Sequence, residues 1–190
     1  MSHYECKECQ KPYQYCKCKQ ERKMNLVELQ NKIHAQNKEL GWWNEERPFS
    51  TFVCLFHSEL SEAMEGDRKD LMDDKLPKYP MFQVELADFV IRCLDWLGAK
   101  GNIDFDRSIT DPEGCDACEA IATLHSLVSC AYDERELAVE HLVDAVNFSF
   151  ILAMDMNFDL DKIILEKVEY NKHRPDHKLE NRAKEGGKKY

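Results

Sequence analysis

The sequence predicts an all-α protein on three observations. From Asn25 onward, apolar residues recur at intervals of three and four, which is the period of an amphipathic helix. Glycines and prolines that end helices separate these stretches. No alternation of apolar and polar residues runs long enough to indicate a strand. We therefore expect a helical bundle, preceded by a small cysteine-rich appendage.

Six helices are expected in order along the chain. Asn25 can cap the first helix, whose apolar positions include Leu26 and Leu29, and Gly41 suits its end. The later helices are expected at about 49–64, 81–97, 117–132, 134–154 and 160–173, with Gly66, Gly98 and Pro175 closing three of them. The predicted organisation is a cysteine-rich segment at 1–23, a helical domain at 24–178 that includes inserted helices at about 100–156, and a flexible tail at 179–190.

Composition and charge exclude several classes of protein. Lys and Arg total 26 against 36 Asp and Glu, a net charge of -10, which argues against a nucleic-acid-binding surface built on cationic charge. We find no apolar run of the roughly 20 residues that a membrane span needs, and the first residues lack the apolar stretch of a secretory signal. We therefore expect a cytoplasmic protein with no membrane partner.

Four carboxylates occupy unusual positions on the second and third helices. Glu59 and Glu62 border the apolar face of the second helix, whereas a solvated acidic face would lie opposite it. The third helix is apolar nearly all round, and Glu85 and Asp88 lie on its single charged strip together with Arg92 and Asp95. Because a buried unpaired carboxylate costs several kcal/mol, this strip is expected to face polar groups inside the protein.

Antiparallel packing of these two helices would bring the four carboxylates together. At close range they would repel one another and raise their pKa values unless cations intervened. Carboxylate oxygens are the hard ligands that Mg²⁺ and Mn²⁺ accept, so the pattern predicts a divalent-cation site. The alternative is a salt-bridge network in which Arg92 and nearby lysines neutralise the acids.

Several stretches of sequence together resemble one family. They are Gly41–Trp42–Trp43, residues 55–63 (LFHSELSEA), residues 85–92 (ELADFVIR), Glu166–Lys167 and residues 170–175 (YNKHRP). Over about 25–99 and 157–188 the chain is similar to the MazG-like nucleoside triphosphate pyrophosphohydrolases. The resemblance implies a helical bundle of the all-α NTP pyrophosphatase type, and it places Glu59, Glu62, Glu85 and Asp88 on the family's metal ligands. The chain departs from the family at Ser58, where many relatives have a further Glu, and in its insertion and its cysteine-rich segment.

The resemblance also implies an activity. With bound Mg²⁺ or Mn²⁺, a (deoxy)nucleoside triphosphate would be hydrolysed to the monophosphate and pyrophosphate by attack of a metal-activated water on the α-phosphorus. Glu59 or Glu62 would serve as general base. Related dUTPase or phosphoribosyl-ATP pyrophosphatase activities remain open, because the motifs do not name the base.

Substrate contacts are expected on the last helix and near the first. Lys167, Asn171 and Arg174 share one helix face, and the resemblance places them among the phosphate-contacting positions. The alternative is an ordinary solvated helix end with favourable C-terminal charge. Trp42 is a candidate to stack on the base or, alternatively, to pack in the core, and Asn37 is a candidate to contact the base edge.

The N-terminal cysteines predict a second kind of metal site. Cys6, Cys9, Cys16 and Cys18 offer four thiolates within 13 residues, a spacing that suits a structural Zn²⁺ ion in a knuckle-like turn. The alternative is a flexible reduced tail. If the acids are only structural, the chain would instead be a non-catalytic helical adaptor that acts through this zinc knuckle.

A weak internal echo bears on the oligomeric state. Residues 57–60 followed by 85–88 resemble residues 125–128 followed by 141–144, as if a helical hairpin had been duplicated and had lost its carboxylates in the second copy. Chance similarity between two amphipathic helix pairs explains the echo equally well. Compact relatives pair subunits, so we expect a homodimer, or a monomer in which one chain supplies both hairpins. The histidines His57 and His125 are expected to pack or cap rather than to bind metal.

Overall fold

A computed structural model describes residues 25–101, 103–105, 114–184 and 186–187, and their regular structure is helical apart from one isolated bridge between Met72 and Pro80. The predicted all-α class is confirmed. Over these ranges the helices are α1 (Leu26–Glu39), α2 (Phe49–Arg68), α3 (Met81–Gly98), α4 (Ala117–Asp133), α5 (Ala138–Asp155), α6 (Leu160–His173) and the short α7 (Leu179–Arg182).

Helix ends agree with the predictions where local chemistry sets them. Asn25 caps α1, with its side chain accepting a hydrogen bond of 2.8 Å from the Val27 amide. The end of α2 was predicted wrongly, because the helix continues through Gly66 to Arg68. A Cβ atom on Gly66 would lie 2.7 Å from Cβ of Met81, so this glycine permits close contact with the start of α3. The start of α5 is also later than predicted, because Arg135–Leu137 form a 3-10 turn.

Helix α3 occupies the centre of the bundle. It packs against α1, α2, α5 and α6, which explains why its sequence is apolar on nearly every side. It runs antiparallel to α2, as ring contacts between Phe49 and Trp96 (4.6 Å) and between Phe56 and Phe89 (6.3 Å) show. This orientation brings Glu85 and Asp88 of α3 close to Glu59, near the middle of α2.

The α4–α5 hairpin packs beside the α2–α3 hairpin through α2 and α4. At this interface His57 and His125 stack with ring centroids 5.0 Å apart and Nδ1 atoms 2.7 Å apart. The internal echo equates these two residues, and Ser61 and Ser129 each donate to the histidine carbonyl four residues earlier. The packed role expected for both histidines is confirmed, and the contact is consistent with a duplicated hairpin.

One helix contradicts the prediction that no segment is long and apolar enough to span a membrane. By length and composition, Arg135–Asp155 is apolar enough to cross a bilayer, so the statement that no stretch reaches this length was wrong. In the structure 61% of its most apolar window is buried inside the protein, as in the core helix of many proteins without a membrane span. The predicted zinc ligands Cys6, Cys9, Cys16 and Cys18 lie outside the described residues.

Candidate metal centre

Three of the four predicted metal ligands meet between α2 and α3. Glu59, Glu85 and Asp88 each offer a carboxylate oxygen, and these oxygens lie within 4.8 Å of one another. Glu59 and Glu85 are only 5% and 7% exposed, so the cluster is inside the protein. Within the described ranges no other group of three or more His, Cys, Asp and Glu side chains comes together in this way.

Glu62 does not join this cluster. It lies one helical turn beyond Glu59, its side chain is exposed, and it accepts a hydrogen bond of 3.1 Å from Ser58 Oγ. It nevertheless lines the cavity described below. Ser58 therefore contacts the fourth predicted ligand.

Two basic side chains contact the clustered acids directly. Arg92 Nε donates to Glu59 Oε1 at 2.5 Å, and Lys167 Nζ lies 2.9 Å from Asp88 Oδ2. The salt-bridge alternative named Arg92 and nearby lysines as neutralising partners, and both kinds of contact are present. The arginine side chain is 38% exposed, whereas Lys167 is 2% exposed and buried beneath the cluster.

Burial perturbs the titration of these groups. It raises the pKa of Glu85 to about 9, an effect reinforced by Asp88 and opposed by Lys167. Burial also raises the pKa of Glu59, against the opposing charge of Arg92. The charges of Arg92 and Lys167 partly balance those of the three acids. Burial acts to lower the pKa of Lys167, but Asp88 and Glu85 outweigh it and raise that pKa.

The donor set fits a divalent cation. Three carboxylate oxygens on two facing helices are hard ligands at mutual distances that one ion can span. Burial raises the pKa of Glu85 by disfavouring its negative charge, and a bound cation would offset that effect. Arg92 reaches the cluster from its exposed side, so it can turn toward solvent without opening the core.

A cavity of about 300 Å³ opens beside the cluster. Its lining contains most of the residues predicted to bind metal or substrate: Asn37, Trp42, Glu59, Glu62, Asp88, Asn171 and Arg174. The Oδ1 atom of Asn171 is buried and has no hydrogen-bond partner among the described residues. Arg174 is held by a two-point contact with Asp176 at 3.0 and 2.7 Å.

Lys167 and Trp42 are placed differently from the simplest expectation. Lys167 shares the helix face of Asn171 and Arg174, but it contacts Asp88 rather than the cavity. Trp42 packs against the C-terminal segment, with the Arg182 guanidinium 3.5 Å from its ring centroid and His177 at 5.3 Å. These contacts are not the core packing of the alternative, and Trp42 also lines the cavity, so its predicted contact with the base stays a prediction.

Sequence reasoning missed Arg47 as a member of the cavity lining. Arg47 lies in the polar stretch before α2, where no helical period assigns it a face. Asp95 was recognised on the charged strip but was given no role. Its Oδ1 atom accepts from Trp43 Nε1 and contacts His34 Nδ1, both at 2.9 Å. The only sequence signal for Asp95 was its position seven residues after Asp88 on the same helix face.

Comparison with family models, with curated proteins and with solved structures found no match. The MazG-like resemblance accordingly remains an inference from the motifs quoted above. The function is argued below from the geometry of the cluster and the cavity.

Proposed function

We propose that this protein is a divalent-cation-dependent nucleoside triphosphate pyrophosphohydrolase. The observation that carries the proposal is the position of three carboxylates from facing helices at one side of a cavity that cationic side chains also line. An acidic protein can accept a polyanionic ligand when bound cations screen its carboxylates. The motif resemblance independently suggests the same chemistry.

In this proposal Glu59, Glu85 and Asp88 hold Mg²⁺ or Mn²⁺. The bound cation would screen the phosphate oxygens and lower the pKa of a coordinated water. Lys167 would keep Asp88 in place from the buried side, because its side chain is 2% exposed and its charge is paired with that carboxylate 2.9 Å away. Arg92 would leave Glu59 and turn toward the cavity that it lines.

The remaining lining residues suit a phosphate chain. Arg174 carries positive charge into the cavity, and Asn171, which also lines it, would donate a hydrogen bond to a phosphate oxygen through Nδ2. Glu62, exposed at the cavity edge, is placed to accept the proton of the attacking water. The water oxygen would bond to the α-phosphorus as the α–β anhydride bond breaks, yielding the monophosphate and pyrophosphate.

The direct test is pyrophosphate release from the full-length protein. A panel of the common NTPs and dNTPs, with dUTP and phosphoribosyl-ATP included, is assayed with Mg²⁺ or with EDTA. We expect turnover of at least one substrate with Mg²⁺ and none with EDTA. Preference for dUTP or phosphoribosyl-ATP would identify a related activity of the same site, whereas no turnover by the folded protein would favour the helical adaptor.

A matched pair of variants tests the ligand assignment. Glu59→Gln keeps the size of the side chain but removes a charged ligand, and we expect turnover to fall by about 100-fold or more, since even indirect partners of a metal contribute 10–100-fold. Glu65→Gln changes an exposed glutamate on the same helix, outside the cavity lining, and should leave turnover unchanged. Full activity of Glu59→Gln would contradict the assignment.

A further inference from the structure

The cavity has a second end, away from the carboxylates. Phe52 precedes Glu59 by seven residues on α2, and Asp95 follows Asp88 by seven residues on α3. Seven residues are two helical turns, or about 10 Å. Because α2 and α3 are antiparallel, Phe52 and Asp95 lie at the same end, and both line the cavity.

Arg47 lies at this second end. Its guanidinium carbon is 4.3 Å from the ring centroid of Phe52 and 5.4 Å from that of Trp43. These aromatic contacts hold the guanidinium group beside the cavity, which the side chain lines. The position is set by packing, so the side chain does not need a bound ligand to reach it.

Arg47 has a hydrogen-bond donor that the protein does not use. Its Nε atom is buried and has no hydrogen-bond partner among the described residues. The negative charge of Asp95 acts on Arg47. The Oδ1 atom of Asp95 already contacts both Trp43 Nε1 and His34 Nδ1. A buried donor without a partner destabilises the folded protein, so a ligand that accepts a hydrogen bond from Arg47 would restore the missing interaction.

The chemistry of the guanidinium group restricts that ligand. Arginine donates hydrogen bonds and accepts none. In the proposed function the phosphate oxygens bind at the end of the cavity that holds the carboxylates. There they would contact the bound cation, Arg92 and Arg174, and both arginines line the cavity. At the aromatic end, about two helical turns away, the part of a nucleotide that remains to be bound is the base.

We propose that Arg47 donates a hydrogen bond to a carbonyl oxygen of the nucleobase, and that the enzyme thereby selects carbonyl-bearing bases and rejects adenine. The inference rests on the proposed function, which puts the phosphates at the carboxylates and the base at the opposite end. Guanine, cytosine, uracil and thymine each carry a carbonyl oxygen. Adenine presents an amino group instead, and an amino group facing Arg47 leaves two donors unpaired.

The sharpest test compares dITP with dATP. The two differ in carrying a carbonyl oxygen or an amino group on the same purine carbon, with one accompanying ring proton. We expect kcat/KM to be at least about tenfold higher for dITP, the equivalent of one lost hydrogen bond in a buried site. In Arg47→Ala the ratio of kcat/KM for dITP to that for dATP should fall to near one, mainly through loss of activity on dITP. Arg47→Lys should retain part of the preference for dITP.

The matched control is Arg135→Ala. Arg135 also lies over aromatic rings, at 4.9 Å from Phe49 and 4.2 Å from Tyr132, but it is exposed and outside the cavity lining. This variant should keep the wild-type ratio. Circular dichroism confirms that each variant is folded before its kinetics are compared.

Two results would overturn the inference while leaving the proposed function intact. One is equal kcat/KM for dITP and dATP in the wild-type protein. The other is an equal loss on both substrates in Arg47→Ala, which would make Arg47 a phosphate ligand. If no substrate is turned over, the proposed function fails, and calorimetric binding of dIMP and dAMP decides the inference separately. Tighter binding of dIMP that Arg47→Ala abolishes would support it, and equal binding would overturn it.

Discussion

Lys167 is a buried residue whose contact could be predicted only in part from the sequence. Its ammonium group is 2.9 Å from Asp88 and is almost wholly removed from solvent. The helix period correctly gave the face that Lys167 shares with Asn171 and Arg174, and those two line the cavity. The helical period does not show how deeply a residue is buried, however. It therefore could not predict that Lys167 is buried against Asp88 while Asn171 and Arg174 line the cavity.

Glu85 should make the stability of the cation-free protein depend on pH. Its pKa is about 9 in the folded protein against an ordinary value of 4.5. The stability that this protonated carboxyl contributes is complete below pH 4.5 and is lost as the pH rises through about 9. Glu85→Gln cannot ionise, so its free energy of unfolding at pH 8 should exceed that of the wild type by at least about 1 kcal/mol, the equivalent of one pKa unit.

Urea unfolding in EDTA between pH 5 and pH 9 measures this difference. Glu65→Gln is the control, because contacts with Lys69 and Arg68 hold the pKa of Glu65 below its ordinary value. The stability that this lowered pKa confers is fully present above about pH 4.5 and is lost only at more acid pH, so the profile of Glu65→Gln should run parallel to that of the wild type between pH 5 and pH 9. Parallel pH profiles for Glu85→Gln and the wild type above pH 5 would show that Glu85 is already ionised in the folded protein.

For the helices, features that depend on residues close in sequence were predicted correctly. Features that depend on contacts between helices were not. The bounds of α6 and the Asn25 cap were predicted, because a cap and the proline at 175 act within a few residues. The prediction that α2 ends at Gly66 is wrong, because the residues next to Gly66 in the sequence do not indicate its contact with Met81 of α3. Arg47 was missed for the same reason, since its position depends on the rings of Phe52 and Trp43.

Gly66→Ala should destabilise the α2–α3 hairpin. In an unobstructed helix this substitution stabilises by up to about 1 kcal/mol. Here the added Cβ would lie 2.7 Å from Cβ of Met81 and 2.9 Å from the backbone nitrogen of Phe82, so the two helices must separate. We expect the free energy of unfolding to fall by about 1–3 kcal/mol, as for other overpacked sites.

Chemical denaturation measures the effect of Gly66→Ala, with Asp67→Ala as the control. Asp67 is the exposed neighbour on the same turn of α2 and has room for the change. A gain in stability for Gly66→Ala would mean that the helix ends separate at no cost, and that Gly66 is not needed for their contact.

On the scale of the whole molecule, one hydrophobic core joins α1 to α6. Helices α4 and α5 contribute fully buried residues to it, as does α3, which carries two of the three clustered acids. A ligand that binds the cluster should therefore stabilise the entire bundle rather than one hairpin, since a single core unfolds cooperatively.

Divalent cation should accordingly raise the thermal midpoint of one unfolding transition. At tenfold excess over its dissociation constant, Mg²⁺ would add about 1.4 kcal/mol, or at least about 2 °C in Tm for a chain of this size. EDTA should reverse the shift, and Glu59→Gln should lose it while Glu65→Gln keeps it. Two transitions, with only one responding to Mg²⁺, would show that the hairpins unfold separately.

The contact between His57 and His125 has a consequence for symmetry. The internal echo treats the two rings as equivalents, yet their Nδ1 atoms are 2.7 Å apart, a distance at which one must carry the shared hydrogen and the other must lack it. The two rings therefore exist as opposite tautomers. Even if the two halves of the chain descend from one ancestral hairpin, a single hydrogen atom makes their meeting point unequal.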